Sequence, residues 1–135
     1  MTRYQIALFG EAEKGEFCKA YPCQSLSHLL QNFGNPPPES HGLFFAIQSL
    51  MYERPLIYFR VHEEGFSIED YLKGLKVLQE EEEAFSDLFA IGIPGVGDDI
   101  IINAVTPICS YYQGTMVITE PDLYDYLTSD AACFS

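Results

Sequence analysis

Residues Leu56 to Ile93 read LIYFRVHEEGFSIEDYLKGLKVLQEEEEAFSDLFAIGI. The stretch opens on Leu56–Val61 (LIYFRV) and closes on Leu88–Ile93 (LFAIGI), two apolar runs without in-and-out alternation. Such runs suit strands covered on both faces. Between them Gly65 marks a turn, and Ser67-Ile68-Glu69-Asp70 has the form of a capping box, with Asp in place of the usual Glu or Gln. Ile68, Tyr71, Leu72, Leu75 and Leu78 then recur at helical spacing. Strand, helix and strand in this order make a unit of a parallel sheet.

The same alternation continues downstream. Pro94-Gly95-Val96-Gly97 turns the chain, and Asp98 or Asp99 is placed to cap a helix over Ile100–Gln113. Pro107 predicts a kink or restart within it, and Gly114 ends it. Thr115–Thr119 (TMVIT) reads as a further strand, and Glu120-Pro121-Asp122 opens a short helix through Tyr124 and Leu127, with residues 128–135 a flexible tail.

Upstream, Tyr4–Phe9 (YQIALF) reads as the first strand and the polar stretch Gly10–Pro22 as a loop. Ser25 caps a helix carrying Leu26, Leu29, Leu30 and Phe33, which Gly34 stops. Residues 34–40, with Asn35-Pro36-Pro37-Pro38, form a stiff turn too short to divide domains. The segment from Ser40 to Arg54 is apolar almost all round, which predicts a helix buried between other elements, closed by Pro55. The whole chain, residues 1–135, is therefore expected to be a single α/β domain, with a mostly parallel four-stranded sheet and helices on both faces.

A hydrophobic fraction of 47% over 135 residues supports one folded core. No apolar stretch reaches the roughly 20 residues of a membrane span, and no signal peptide is legible at the start. The four cysteines, Cys18, Cys23, Cys109 and Cys133, are expected to be free thiols in a cytoplasmic protein. Cys18 and Cys23 stand as C-x4-C without a second pair or a nearby His, a poor zinc pattern.

Charge is placed unevenly. Residues 1–60 hold five acids and five bases, whereas residues 61–135 hold 15 acids against Lys73 and Lys76. The last 59 residues carry 11 acids and no Lys or Arg. Nucleic acid and anionic membrane are repelled by such a surface, and a basic protein face is attracted. Of the late acids, Asp87, Asp98 and Asp122 fall where turns and caps would place them. Glu80, Glu81, Glu82 and Glu83 instead close a helix whose dipole they oppose, which marks them as a candidate partner surface.

Chemistry-bearing patterns are sparse. Gly10–Phe17 follows a strand, but Glu16 and Phe17 stand where a phosphate loop needs Lys and Ser or Thr. Asp98 and Asp99 at the Pro94–Asp99 turn are candidate Mg²⁺ ligands, together with Asp122 or Glu120. His28, His41 and His62 show no ligand spacing and read as turn residues, although His62 follows a strand end where catalytic groups occur. Arg60, inside an apolar strand, calls for a carboxylate partner or a place at the strand's end. No cofactor is implied.

In order, these segments resemble the core domain of contractile tail sheath proteins. Gly10, Ala12, Lys14 and Gly15 follow that family's G-x-A-x-K-G-P loop, with Glu16 in place of its Pro. Ser25-Leu26 through Phe33-Gly34, the run Tyr58-Phe59-Arg60-Val61, and Leu88–Ile93 followed by Pro94-Gly95 match its later motifs. Cys109 and Glu120-Pro121 are looser fits. The resemblance implies a non-enzymatic assembly module. Sheath subunits join through extended terminal arms that add strands to neighbours. Here the first strand starts almost at Met1 and about eight residues follow the last helix, so a reduced homologue, or a component docking onto such an assembly, is expected. The charge asymmetry favours a second expectation, a small acidic chaperone, inhibitor or immunity factor that engages a basic partner. A metal-assisted enzyme using the Pro94–Asp99 turn is a third. On the first two expectations the partner is a protein or a second copy of the chain.

Overall fold

The computed structural model describes residues 5–81, 83–85 and 87–133. Five strands, β1 (Gln5–Gly10), β2 (Tyr21–Cys23), β3 (Leu56–Arg60), β4 (Leu88–Gly92) and β5 (Thr115–Val117), form one sheet in the order β2-β3-β1-β4-β5. The pairs β3-β1, β1-β4 and β4-β5 are parallel, and β2 runs antiparallel to β3 at one edge. Five helices accompany it: α1 (Leu26–Phe33), α2 (Gly42–Met51), α3 (Ile68–Glu80), α4 (Asp99–Tyr112) and α5 (Glu120–Cys133).

The α/β class and the mostly parallel sheet match the sequence-based expectation, but the strand count does not. The fifth strand, β2, lies inside the stretch expected to be loop. Pro22 argues against a central strand because it lacks an N–H. An edge strand tolerates it, since only one side of the strand is bonded to a neighbour, and β2 is an edge. Tyr4, expected in the first strand, lies outside the described residues.

Alternation along the strands sorts the core into two layers. Ala7, Phe9, Ile57, Phe59 and Ile91 face Tyr71, Leu75 and Leu78 of α3 and Ile101, Val105 and Ile108 of α4. Ile6, Leu8, Leu56, Tyr58 and Ala90 face Leu29 and Phe33 of α1, Leu43, Phe45 and Ala46 of α2, and Leu123, Tyr126 and Leu127 of α5. Helices thus cover both faces, as continuous apolar strands require. A register shift sets Gln5 opposite Leu88 and Ile6 opposite Ala90. The extra residue, Phe89, thereby joins Ala90 on the α5 side and packs against Tyr126, with ring centroids 6.2 Å apart.

Three local features differ from expectation. The helix α4 does not restart at Pro107 but continues through it as one helix. Pro107 and Asn103, whose carbonyl it leaves without a helical donor, both lie on the exposed side, the side on which a lost helical bond costs least. The last helix is not short: α5 continues to Cys133, through most of the expected tail. Although α2 is apolar, it is not enclosed. One side packs on the sheet, while Phe44, Met51 and the following Tyr52 are 39%, 64% and 43% exposed.

Candidate functional site

In open parallel sheets, ligands bind beyond the carboxyl ends of the strands, where neighbouring connections leave towards opposite faces. Here that point lies between β1, whose connection leads to α1 and α2, and β4, whose connection leads to α4. Glu11, His62, Glu63, Glu64, Asp70, Asp98 and Asp122 follow strand ends along this rim.

The rim is closed by its own loops. Gly65, after β3, and Gly95, after β4, meet across the end of β1. A Cβ on Gly65, whose φ is +86°, would lie 2.5 Å from the Gly95 carbonyl oxygen. From below, the buried Tyr71 hydroxyl accepts the Gly65 N–H at 2.7 Å. Burial pushes that phenol's pKa up, further raised by the Glu64 and Glu11 charges, so it stays protonated.

Backbone amides occupy the carboxylates around this closure. Glu64 accepts from the N–H groups of Glu11 (3.0 Å), His41 (2.9 Å) and Gly42 (2.9 Å), and Glu11 accepts from Glu64 N–H at 3.0 Å. The carboxylate fits because α2 begins with glycine: a Cβ on Gly42 would lie 2.6 Å from the Gly10 Cα and collide with the Tyr58 hydroxyl. Glu13 accepts from Asn35 N–H at 2.8 Å.

Asp98, expected as a metal ligand, caps α4 by accepting from Ile100 N–H at 2.8 Å, and Asp99 is exposed in the first turn. Asp122 accepts from the N–H groups of Ile118 and Thr119, both at 3.1 Å, while its own N–H donates to Thr119 Oγ1 at 3.3 Å. Those amides hold the Asp122 carboxyl below the usual range. Among the described residues no three His, Cys, Asp or Glu side chains converge to hold a metal, so Asp98, Asp99, Asp122 and Glu120 do not assemble the expected Mg²⁺ set. Glu80, Glu81 and Glu83 are exposed, with Glu80 4.0 Å from Lys76; Glu82 lies outside the described residues.

A second cluster surrounds Asp70. The capping box expected at Ser67 does not form, for Ser67 makes no side-chain cap bond and instead exchanges hydrogen bonds with Glu63. Asp70 turns to the end of β3, accepting from His62 N–H (2.8 Å), His62 Nδ1 (2.7 Å) and the Cys18 thiol (3.4 Å). Burial pushes the Asp70 carboxyl up, but these bonds outweigh it and hold the pKa below the usual value. Burial and the neighbouring Asp70 push the Cys18 thiol up to about 11, the reverse of what a nucleophilic cysteine needs. Asp70 orients His62 as the acid of a catalytic triad orients its histidine, but Cys18 bonds the acid rather than the base.

The Phe17 ring lies flat on His62 at 3.6 Å, with the Arg60 guanidinium 4.2 Å from its centroid. Arg60 is the last residue of β3. Its partners are not carboxylates but the carbonyls of Gly15 (2.6 Å) and Ala12 (3.0 Å). Five cationic donors suit carbonyls as well as carboxylates. This stack anchors the loop between β1 and β2. Cys18 and Cys23 do not form a metal pair, because Cys23 is buried in the other core layer and donates to Tyr21 O.

The third feature lies on the helical face, and the sequence did not single it out. A groove of about 480 Å³ between α2 and α5 is lined by Phe44, Gln48, Tyr52, Pro121, Tyr124 and Leu127, with Leu123 at its floor and Glu120 at its margin. The available signal was an all-apolar helix, which reads equally as a buried element or as one with an exposed apolar side. Comparison with protein-family models, curated proteins and solved structures finds no match for this chain.

Proposed function

We propose that this protein is a non-enzymatic interaction module that acts by binding another protein. The closure of the sheet's carboxyl end carries this reading. Where an α/β enzyme keeps an open crevice with free acids and bases, Gly65 packs on Gly95, and Glu11, Glu64, Asp98 and Asp122 hold backbone amides. Carboxylates used in this way brace loops and are poorly placed to exchange protons with a substrate.

A place in an assembly of the tail-sheath kind agrees with the motif order and with this braced core. Strand addition has little edge to use: β2 carries Pro22, and β5 is three residues long. Docking through a helical face is therefore favoured over exchange of strands. The exposed acids Glu80, Glu81 and Glu83 support the second reading, an acidic factor that binds a basic partner through the end of α3.

Mass photometry of the purified chain, alone and in extract of its source cells over a salt series, tests the proposal. A discrete complex is expected. A chain that stays monomeric and forms no complex at any salt concentration overturns it. Charge reversal of Glu81 and Glu83 separates the two surfaces, since loss of the complex would assign it to the end of α3.

A further inference from the structure

We infer that the groove between α2 and α5 receives a cationic amphipathic helix of a partner protein, an inference that rests on the interaction-module reading and names the partner's chemistry. Two helical stripes build the groove. Phe44, Gln48 and Tyr52 stand at i, i+4 and i+8 along α2 and its cap, and Glu120, Tyr124 and Leu127 at i, i+4 and i+7 along α5. Eight residues of helix rise ~12 Å, close to the ~10.5 Å between the first and last anchors of an incoming i, i+4, i+7 stripe. Phe44, Tyr52 and Tyr124 are 39%, 43% and 59% exposed, aromatic surface of the kind that anchors interfaces.

Charge selects the occupant. No charged residue lies within α2, and α5 has acids but no Lys or Arg. Glu120 lines the groove, while exposed Asp125 on α5 and exposed Glu53 after Tyr52 border the neighbouring hollows on either side. Arg54, close to the end of α2, is buried with its guanidinium donating to Leu127 O at 2.9 Å and facing the Tyr126 ring, so its charge is engaged within the fold. An apolar trough with Glu120 at its margin, on helices that carry no Lys or Arg, fits a helix with an aliphatic stripe flanked by Lys or Arg. A second copy fits poorly, because a two-fold pairing of groove on groove would set these acids against themselves.

Fluorescence anisotropy with a labelled peptide of roughly 20 residues, above the length at which helices are marginal in water, tests the inference. The probe carries Leu at i, i+4 and i+7 flanked by Lys. Its controls are a scrambled peptide of the same composition and a version with Glu for Lys. The striped cationic peptide should bind, and should weaken about tenfold or more as salt rises from about 50 to about 300 mM. Phe44→Ala and Tyr124→Ala should each weaken it about tenfold, and Glu120→Lys should reduce its association rate. These side chains are exposed, and an unchanged thermal midpoint verifies that each variant folds. Equal binding of the scrambled peptide, or indifference to the groove variants, overturns the inference. So does self-association that Tyr124→Ala abolishes, which would give the groove to a second copy. Complexes in extract that survive Phe44→Ala and Tyr124→Ala would sink the groove while leaving the interaction-module reading intact; absence of any complex would sink that reading itself.

Discussion

Two short segments share the pattern of a hydroxyl residue followed three positions later by aspartate, and the fold uses them differently. At Thr119–Asp122 the reciprocal box forms. At Ser67–Asp70 it does not, because His62 and Cys18 offer Asp70 three donors at the end of β3. Those donors come from other parts of the chain, so no local pattern reveals them. The consequence is a pH dependence. A carboxyl held below its unfolded value stabilises the fold fully above about pH 4, and the stabilisation is lost as pH falls through the folded pKa. Asp70→Asn should lower stability at neutral pH and flatten part of the decline below about pH 4, as read by urea denaturation at several pH values; Asp122 retains its share of that decline. An unchanged acid limb would show that Asp70 does not carry it. Gly65 is the second single-residue test. Alanine there meets both a positive φ and the Gly95 carbonyl, so Gly65→Ala should cost about 2–4 kcal/mol in chemical denaturation. A loss under about 1 kcal/mol would mean that the two loops part easily and the rim is not firmly closed.

Among the elements, helix α4 shows how exposure alters the effect of proline. Proline inside a helix costs about 3 kcal/mol relative to alanine, yet α4 stays continuous because Val105, Ile108 and Cys109 hold its other side in the core. Pro107→Ala should restore an N–H to the Asn103 carbonyl and raise stability by about 1–3 kcal/mol, after allowance for the proline's restriction of the unfolded chain. Differential scanning calorimetry would read this as a rise in midpoint; a fall would indicate that the Pro107 ring packs usefully against Tyr111 and Tyr112. Element types were largely legible, since strands covered on both faces read as unbroken apolar runs and Asp98 stands at the head of α4 as its cap. The strand β2 was not, being three residues long and containing proline. The open side of α2 was hidden for another reason. Composition reports that a helix is apolar, and neighbours decide how much of it is covered.

For the whole molecule, a net charge of −13 on 135 residues sets a repulsion that the compact state must overcome. Among the described residues, ion pairs between exposed side chains, such as Lys19–Glu16 at 3.5 Å, relieve little of it. Raising salt from about 0.01 to about 0.1 M shortens the screening length from ~30 to ~10 Å. The thermal midpoint should therefore rise by several degrees over that range, as followed by circular dichroism. A flat or falling midpoint would mean that attractive pairs dominate the folded state's electrostatics. The same acidity, with no Lys or Arg among the described residues that line the groove between α2 and α5, favours a cationic partner there.

By itself the sequence determined the α/β class, the order of the four apolar runs that become β1, β3, β4 and β5, and an acidic second half. Those are properties of composition and period, which local sterics and burial impose wherever the chain folds. The tertiary structure decided which carboxylates are free. Glu64 braces α2 and the loop after β1 from a separation of 22 and 53 residues, and Asp70 reaches Cys18 across 52. It also decided that the loops carrying Gly65 and Gly95 meet at the carboxyl end of the sheet while a groove stays open on a helical face. Both outcomes depend on contacts between distant segments, formed only once the crossovers bring those segments together.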